Sequence, residues 1–464
     1  MLTLLQIWLS YPHPYMKKLL PLLTLLLLYM ATATAQQTPD ILPLRDRAVL
    51  EDALLQERLE KLLPDLMRRN GIAMWLIVAR EYNEDPVAST MLPATWLAAR
   101  RRTILLFTDL GQGKGVEKLA VARYDIGSLL KAAWEPEQEP NQWKRLATLI
   151  ADRNPKNIGL NYSPTFAHAD GLTKAEYDSL LHYLPAAQKQ KVVSAERLAV
   201  DWLQTRTPHE LELYEQISRL GHDIIAEGFS EKAVVPGKTT TEDVVWWFRE
   251  RIAERKLTAW FHPTVDIQRA NPGAGDSQRP FSERPAQEVI QPGDLLHVDL
   301  GITYLGLNTD VQQLAYMLKP GETQAPPYLR KALATGNRLQ DILTSAFREG
   351  KTGNQVLKEA LAKAKQENIN ATIYSHPIGY HGHGAGPAIG MWDQQQDVPG
   401  TGDYPLRYNT AYAIELNAKV TLPEWNNKEI RVMLEEQAVF TPKEVYYIDG
   451  KQQELLLIPR VNQQ

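Results

Sequence analysis

Apolar and polar positions along the chain fall into distinct textures. Between Arg45 and Asn70, leucines recur at helical spacing among charged residues, and the pattern stops at Asn70-Gly71, a pair suited to a helix end. Ile72 to Ala79 is then a continuous apolar run, the signature of a buried strand, with similar runs at Thr103 to Thr108 and Lys118 to Val121. These segments predict an α/β unit reaching to about Val200. A different grammar opens at Arg206-Thr207-Pro208-His209-Glu210. Here Thr207 can cap a helix, Pro208 suits its first turn, and Leu213, Ile217, Leu220 and Ile224 line one face. A second helix is predicted over Thr241 to Glu254, with Trp246 and Trp247 inside it. From Phe261 onward, strand-like runs are separated by Pro and Gly, which predicts an α+β arrangement with helices segregated on one side of a sheet.

The first residues have another purpose. Met16-Lys17-Lys18 precedes Leu19 to Leu28, broken only by Pro21 and Thr24, and Ala33-Thr34-Ala35 follows. A positive start, an apolar centre of about 7–15 residues and a small-x-small site make a secretory signal, too short for the roughly 20 residues of a bilayer span. Residues 1–35 therefore read as a signal peptide starting at Met16, the uncharged residues before it being an over-extended start. The expectation is export to a bacterial periplasm with no stable membrane insertion after cleavage. What remains divides into residues 36–200 and 201–464, since a chain of that length exceeds what one core usually serves.

Composition removes several chemistries. The 464 residues include no cysteine, which excludes thiol nucleophiles, thiolate metal sites, disulfides and a lipid anchor on cysteine. The formal net charge is −4, and losing Lys17 and Lys18 makes it more negative. That balance argues against nucleic acid or anionic lipid held on a basic face. Arg100 to Arg102 reads as solvated surface, and His168 and His182 as surface or capping groups. Oligomeric state is left open, a homo-oligomer included.

Candidate chemistry gathers in the second half. Leu295 to Leu300 is an apolar strand interrupted by Asp299, and a second strand after Gly301 carries Asp310, so a hairpin can bring the two carboxylates together. Burying two like charges requires protons or cations, and this spacing alone would suit a turn-capping aspartate equally well. Downstream lie Ser375-His376-Pro377-Ile378-Gly379-Tyr380-His381-Gly382-His383-Gly384, then Glu415 and Glu435 in two further apolar segments. Hard oxygen donors with one imidazole suit divalent manganese, and also cobalt, zinc or iron.

In this order, Asp, Asp, His, Glu, Glu, the chain resembles the pita-bread metallopeptidases: methionine and Xaa-Pro aminopeptidases, prolidases and the non-peptidase creatinases. The resemblance implies an α+β pita-bread catalytic domain preceded by a creatinase-like α/β domain. It further implies two divalent metal ions held by Asp299, Asp310, His376, Glu415 and Glu435, with Asp310 and Glu435 bridging. Glu435 is preferred to Glu436 because Thr441 reproduces the family's glutamate-to-threonine spacing. His376 with His383, seven residues on, matches the paired histidines except for Pro377. The competing register around Gly382-His383-Gly384 puts Gly390 where the second histidine belongs.

The implied activity is hydrolysis of a peptide substrate from its N-terminus, with Glu415 as proton shuttle and His383 stabilising the oxyanion. Three positions depart from the family. No histidine precedes the first hairpin at the usual place, His297 being too close to Asp299 and His262 the candidate substitute. Leu416 stands where proline is usual, and Gly384 where glutamate is common. They favour hydrolysis over a requirement for proline in the second position. A prolidase-like dipeptidase, a creatinase-like hydrolase of a small amide and a non-catalytic peptide binder are the alternatives.

Overall fold

The computed structural model describes residues 41–271 and 287–460, so the leader expected over 1–35 lies outside the described residues. The predicted first helix is interrupted rather than uniform. It runs as α-helix over Leu44–Glu57, widens to a π-helical stretch at Arg58–Leu62, and resumes at Leu63–Arg69. Pro64, which has no N–H to give to the preceding turn, sits just beyond the wide stretch. Gly71 takes a positive φ of 66°, which lets the Ile72 N–H return to the Met67 carbonyl before the strand Met74–Arg80 begins.

That strand lies inside a six-stranded sheet. Its order is Lys131–Ala132, Val116–Ala120, Arg102–Asp109, Met74–Arg80, Ile158–Leu160 and Val192–Ser194. Met74–Arg80 pairs antiparallel with Arg102–Asp109 and parallel with Ile158–Leu160. Both faces of Met74–Arg80 are buried, Trp75 and Ile77 in one cluster and Leu76 and Val78 in another, which explains its unbroken apolar run.

The second half is built on a nine-stranded sheet. Its main path runs Asn370–Ile373, Thr410–Leu422, Lys428–Phe440, Val311–Met317, Leu295–Leu300, Thr264–Gln268. The helices Pro208–Gly228 and Thr241–Glu254 pack on the strands at one end of this path, and Pro327–Ser345 and Gly353–Gln366 on those at the other. The two ladders meet between Val311–Met317 and Lys428–Phe440 through one registered pair, Gln312 opposite Glu435. Among the described residues no helix is long and apolar enough to cross a membrane.

The helix Pro208–Gly228 starts as its sequence predicts. Thr207 Oγ1 accepts from the Glu210 N–H, while Glu210 returns a bond to the Thr207 N–H at 2.8 Å, closing a capping box. Glu210 does more than cap. It is fully buried between Arg58 (2.8 Å) and Arg206 (3.2 Å) and accepts the Tyr380 hydroxyl at 2.9 Å. Arg58 also donates to the Thr205 carbonyl at 2.8 Å and to that of Trp202. The wide helical stretch, the helix start and the segment after His376 are thus tied to one carboxylate.

Candidate metal centre

Alternation along the strands decides where the acids point. In Leu295–Leu300, the side chains of Leu296, Val298 and Leu300 enter the core shared with Pro208–Gly228 and Thr241–Glu254, which turns Asp299 to the opposite face. Ile414, Leu416 and Leu434 likewise pack among residues of Pro327–Ser345 and Gly353–Gln366, and turn Glu415 and Glu435 away from those helices. Glu415 stands directly opposite Glu435, and Gln312 is opposite both Glu435 and Asp299. Asp310 lies one residue before Val311–Met317 rather than within it, its carbonyl accepting from the Gln437 side chain. His376 opens the short strand His376–Ile378, opposite Ala413.

The five side chains converge. Ligand atoms of Asp299, Asp310 and Glu435 lie within 4.8 Å of one another; so do those of His376, Glu415 and Glu435, and those of Asp310, His376 and His383. Glu435 belongs to two of these groups, as does Asp310. His376 Nε2 is 3.8 Å from Glu435 Oε1 and 4.0 Å from both Asp310 Oδ2 and Glu415 Oε2. Its Nδ1 is 3.1 Å from the Pro377 carbonyl. A carbonyl only accepts, so that bond places the proton on Nδ1 and leaves the Nε2 lone pair facing the carboxylates.

Electrostatics shows what this packing costs. Burial pushes Asp299 up to about 6, and burial with the charge of Asp299 pushes Glu415 up to about 8. Asp310 and Glu435 are driven well above the carboxylate range by burial and then by their acidic neighbours. Burial, with His383 adding to it, drops His376 to about 3, keeping it neutral. Asp299 Oδ1, Glu435 Oε1 and His376 Nε2 are buried with no hydrogen-bond partner among the described residues. Orphaned buried acceptors on three members of one oxygen-rich cluster fit divalent cations, which supply the missing charge and partners.

Neighbours of the cluster that the sequence did not advertise complete it. Gln312 Nε2 donates to Glu415 at 2.9 Å and to Glu435 at 2.8 Å, while Gln312 Oε1 accepts from His297 Nε2 at 2.9 Å. His297 Nδ1 is 3.5 Å from Asp266. Hence His297 fixes which way the Gln312 amide faces. Gln312 could have been found two positions after Asp310, but a neutral amide carries no charge signal. The half-buried Tyr374 and Trp260 also border the centre, the Tyr374 phenol being pushed up by burial and by Glu415, Glu435 and Asp310.

Residues 212–442 match the model of metallopeptidase family M24. The chain carries an M24 metallopeptidase domain. It has the pita-bread fold, preceded by a further N-terminal domain. An X-Pro aminopeptidase from Thermotoga maritima is similar in structure at 14% identity, over 85% of this chain and 99% of that one, with a TM-score of 0.59. Dipeptidase PepE from Mycobacterium ulcerans is similar at 18% identity over 88% and 99%, TM-score 0.55. So is the N-terminal domain of FACT complex subunit SPT16 from chickpea, Cicer arietinum, at 11% identity over 88% and 99%, TM-score 0.54. At such identities the likenesses show the fold. No match is found among curated proteins.

Several positions of the M24 domain bear on the readings made from sequence. A Cβ at Gly390 would stand 2.2 Å from the Ile373 carbonyl oxygen, so no histidine fits where the Gly382-His383-Gly384 register needs one. Gly384 N–H donates to the Pro377 carbonyl at 2.8 Å, and a Cβ there would lie 2.6 Å from that oxygen, which explains glycine in place of glutamate. His262 is exposed. It lies 3.1 Å from Arg249 and 5.3 Å from the Trp246 ring, engaged with helix Thr241–Glu254 and in none of the ligand groups. His383 is exposed at the edge of the centre, its ring 4.8 Å from His376 and 5.3 Å from Trp260. His168, read from sequence as a surface or capping group, is half-buried, its ring 4.4 Å from that of His381 and tilted against it, because the N-terminal sheet's loops pack on the segment after His376.

Proposed function

We infer that the chain is an exported metal-dependent aminopeptidase that releases N-terminal residues from peptides and accepts proline in the second position. The observation that carries the reading is the pair of ligand triads sharing Glu435, one with Asp299 and Asp310 and the other with His376 and Glu415. That arrangement supports two divalent cations held by Asp299, Asp310, His376, Glu415 and Glu435, manganese being the first candidate and cobalt, zinc or iron the others. When bound, such cations lower the pKa of water from about 15.7 to roughly 7 and polarise a carbonyl.

The remaining work falls to side chains of this chain. Glu415, with 23% of its side chain still exposed, takes the proton of the attacking water and returns it to the leaving nitrogen. His383, at the exposed edge, faces the oxygen of the scissile carbonyl. Trp260 and Phe261, with rings 4.5 Å apart, wall the approach beside it. Gly384 in place of glutamate and Leu416 in place of proline change the substrate side and leave the four acids and the imidazole complete. The retained set favours a peptidase over a creatinase-like hydrolase or a peptide-binding relative.

The test is to strip the purified protein of metal, restore manganese, cobalt, zinc or iron singly, and assay short peptides with and without proline in the second position. Hydrolysis should disappear with the metal and return with it. Absence of turnover on every peptide with every cation would sink the reading. Export rests on Lys17-Lys18, the leucine run and Ala33-Thr34-Ala35. A mature N-terminus at Gln36 in a periplasmic fraction would support it, and an intact leader held in the membrane would count against it.

A further inference from the structure

The strand Asn370–Ile373 runs antiparallel to the Glu415 strand, with Ile373 opposite Leu416. One residue on, the Tyr374 N–H donates to the Glu415 carbonyl at 3.2 Å. Opposed residues of an antiparallel ladder share a face, so Tyr374 is on the face of Glu415, together with His376. Its ring lies 5.2 Å from the His376 ring and 5.9 Å from that of His383, which are themselves 4.8 Å apart. Three rings therefore form a triangle against the carboxylates, one of them the imidazole that faces the cluster and another the group placed at the substrate edge.

Tyr374 is half-buried, and its hydroxyl makes no hydrogen bond with any described residue, which leaves it available to a bound substrate, while Gln312 already serves Glu415 and Glu435. The upstream position that His262 was expected to supply is turned to another helix. A phenol is a neutral donor at ordinary pH, suited to an oxygen that gains negative charge.

We propose that Tyr374 is a catalytic residue of this centre, its hydroxyl donating a hydrogen bond to the oxygen of the scissile carbonyl beside His383. This rests on the reading of the centre as a peptide-bond hydrolase. Water adds to the carbonyl carbon and gives a proton to Glu415, the carbonyl π pair moves onto oxygen, and Tyr374 stabilises that oxyanion without losing its own proton. The carbon–nitrogen bond then breaks with its electron pair going to nitrogen, which takes the proton held by Glu415.

Tyr374→Phe in the full chain removes only the hydroxyl. Cation binding is measured by calorimetry, kinetics on the best peptide of the panel, and affinity for a phosphinic dipeptide, whose tetrahedral phosphinate copies the hydrated amide. The expected result is unchanged cation affinity, KM within about twofold, kcat lower by about 100- to 1,000-fold, and phosphinate binding weakened much more than peptide binding. Wild-type kcat and phosphinate affinity in the variant would overturn the proposal. So would a loss of cation affinity large enough to account for the lost activity. A wild-type protein that binds cations but neither cleaves peptides nor binds the phosphinate would instead show that the hydrolase reading itself fails, taking the role of Tyr374 with it.

Discussion

His376 and His383 sit seven residues apart, and their surroundings differ. The first is buried, neutral, and aimed by the Pro377 carbonyl so that Nε2 faces three carboxylates. The second is exposed beside Trp260. His376→Ala should lower the bound metal and lose activity at ordinary cation concentrations, since a neutral imidazole ligand is gone. His383→Ala should keep its metal and lose mainly turnover, by about 100- to 1,000-fold. Metal analysis beside kinetics separates them, and the reverse pattern would exchange the two roles. Gly390 shows why the choice is made by backbone as much as by chemistry: the alternative histidine has no room.

At the scale of single elements, the start of helix Pro208–Gly228 offers a comparison of two groups in one motif. Thr207 contributes an ordinary cap, and Thr207→Ala should cost about 1 kcal/mol. Glu210→Gln leaves Arg58 and Arg206 buried beside a neutral amide, and breaking such a set costs about 3–5 kcal/mol. Denaturant unfolding of both variants checks the ratio; equal losses would mean that Glu210 acts only as a cap. The same motif marks how far the sequence could be read. Thr207, Pro208 and Glu210 announced the helix because capping is local, whereas nothing local announced that Glu210 would meet Arg58, more than a hundred residues earlier. Asp299, Glu415 and Glu435 were legible as single acids within apolar strands, where burial is implied and charge is conspicuous. Gln312, His297 and Tyr374 were not, since an amide or a phenol in a strand is unremarkable until register puts it opposite a carboxylate. The interrupted first helix and the contact of His168 with His381 depend on packing between distant segments, which periodicity does not encode.

For the whole molecule, the centre makes stability depend on pH and on cations together. Asp299, Asp310, Glu415 and Glu435 hold protons in the folded, cation-free protein more tightly than they would unfolded. Groups raised in this way cost stability as pH climbs from the unfolded carboxylate range, about 4, toward the folded value of about 8 at Glu415. His376, lowered to about 3, works the other way, but its contribution is complete above about 6.5. Between pH 6.5 and 8 the metal-free protein should therefore lose melting temperature, and saturating manganese should remove most of that loss. His222 also titrates upward. Burial opposes its charge, but Glu436 and Asp449 outweigh that and raise it to about 10, so its stabilisation weakens from about 6.5 upward with or without cations and cancels in the difference. Calorimetry at the two pH values, with and without manganese, measures it, and identical slopes would contradict the prediction.

The lone pairing of Gln312 with Glu435 also has a mechanical side. Two long ladders, each stiffened by its own pair of helices, are stitched at a single rung, and that rung lies among the ligand side chains. Beyond this rung the halves are bridged by the segment 445–458, which pairs with Lys428–Phe440 at its start and with Val311–Met317 at its end, so shear between them is shared by that strap and the atoms that would grip the cations. The stiffness of this seam and the spacing of the reactive groups are one quantity: whatever tightens the grip at Glu435 also rivets the two halves together, and whatever pries the halves apart changes the gap in which the chemistry takes place.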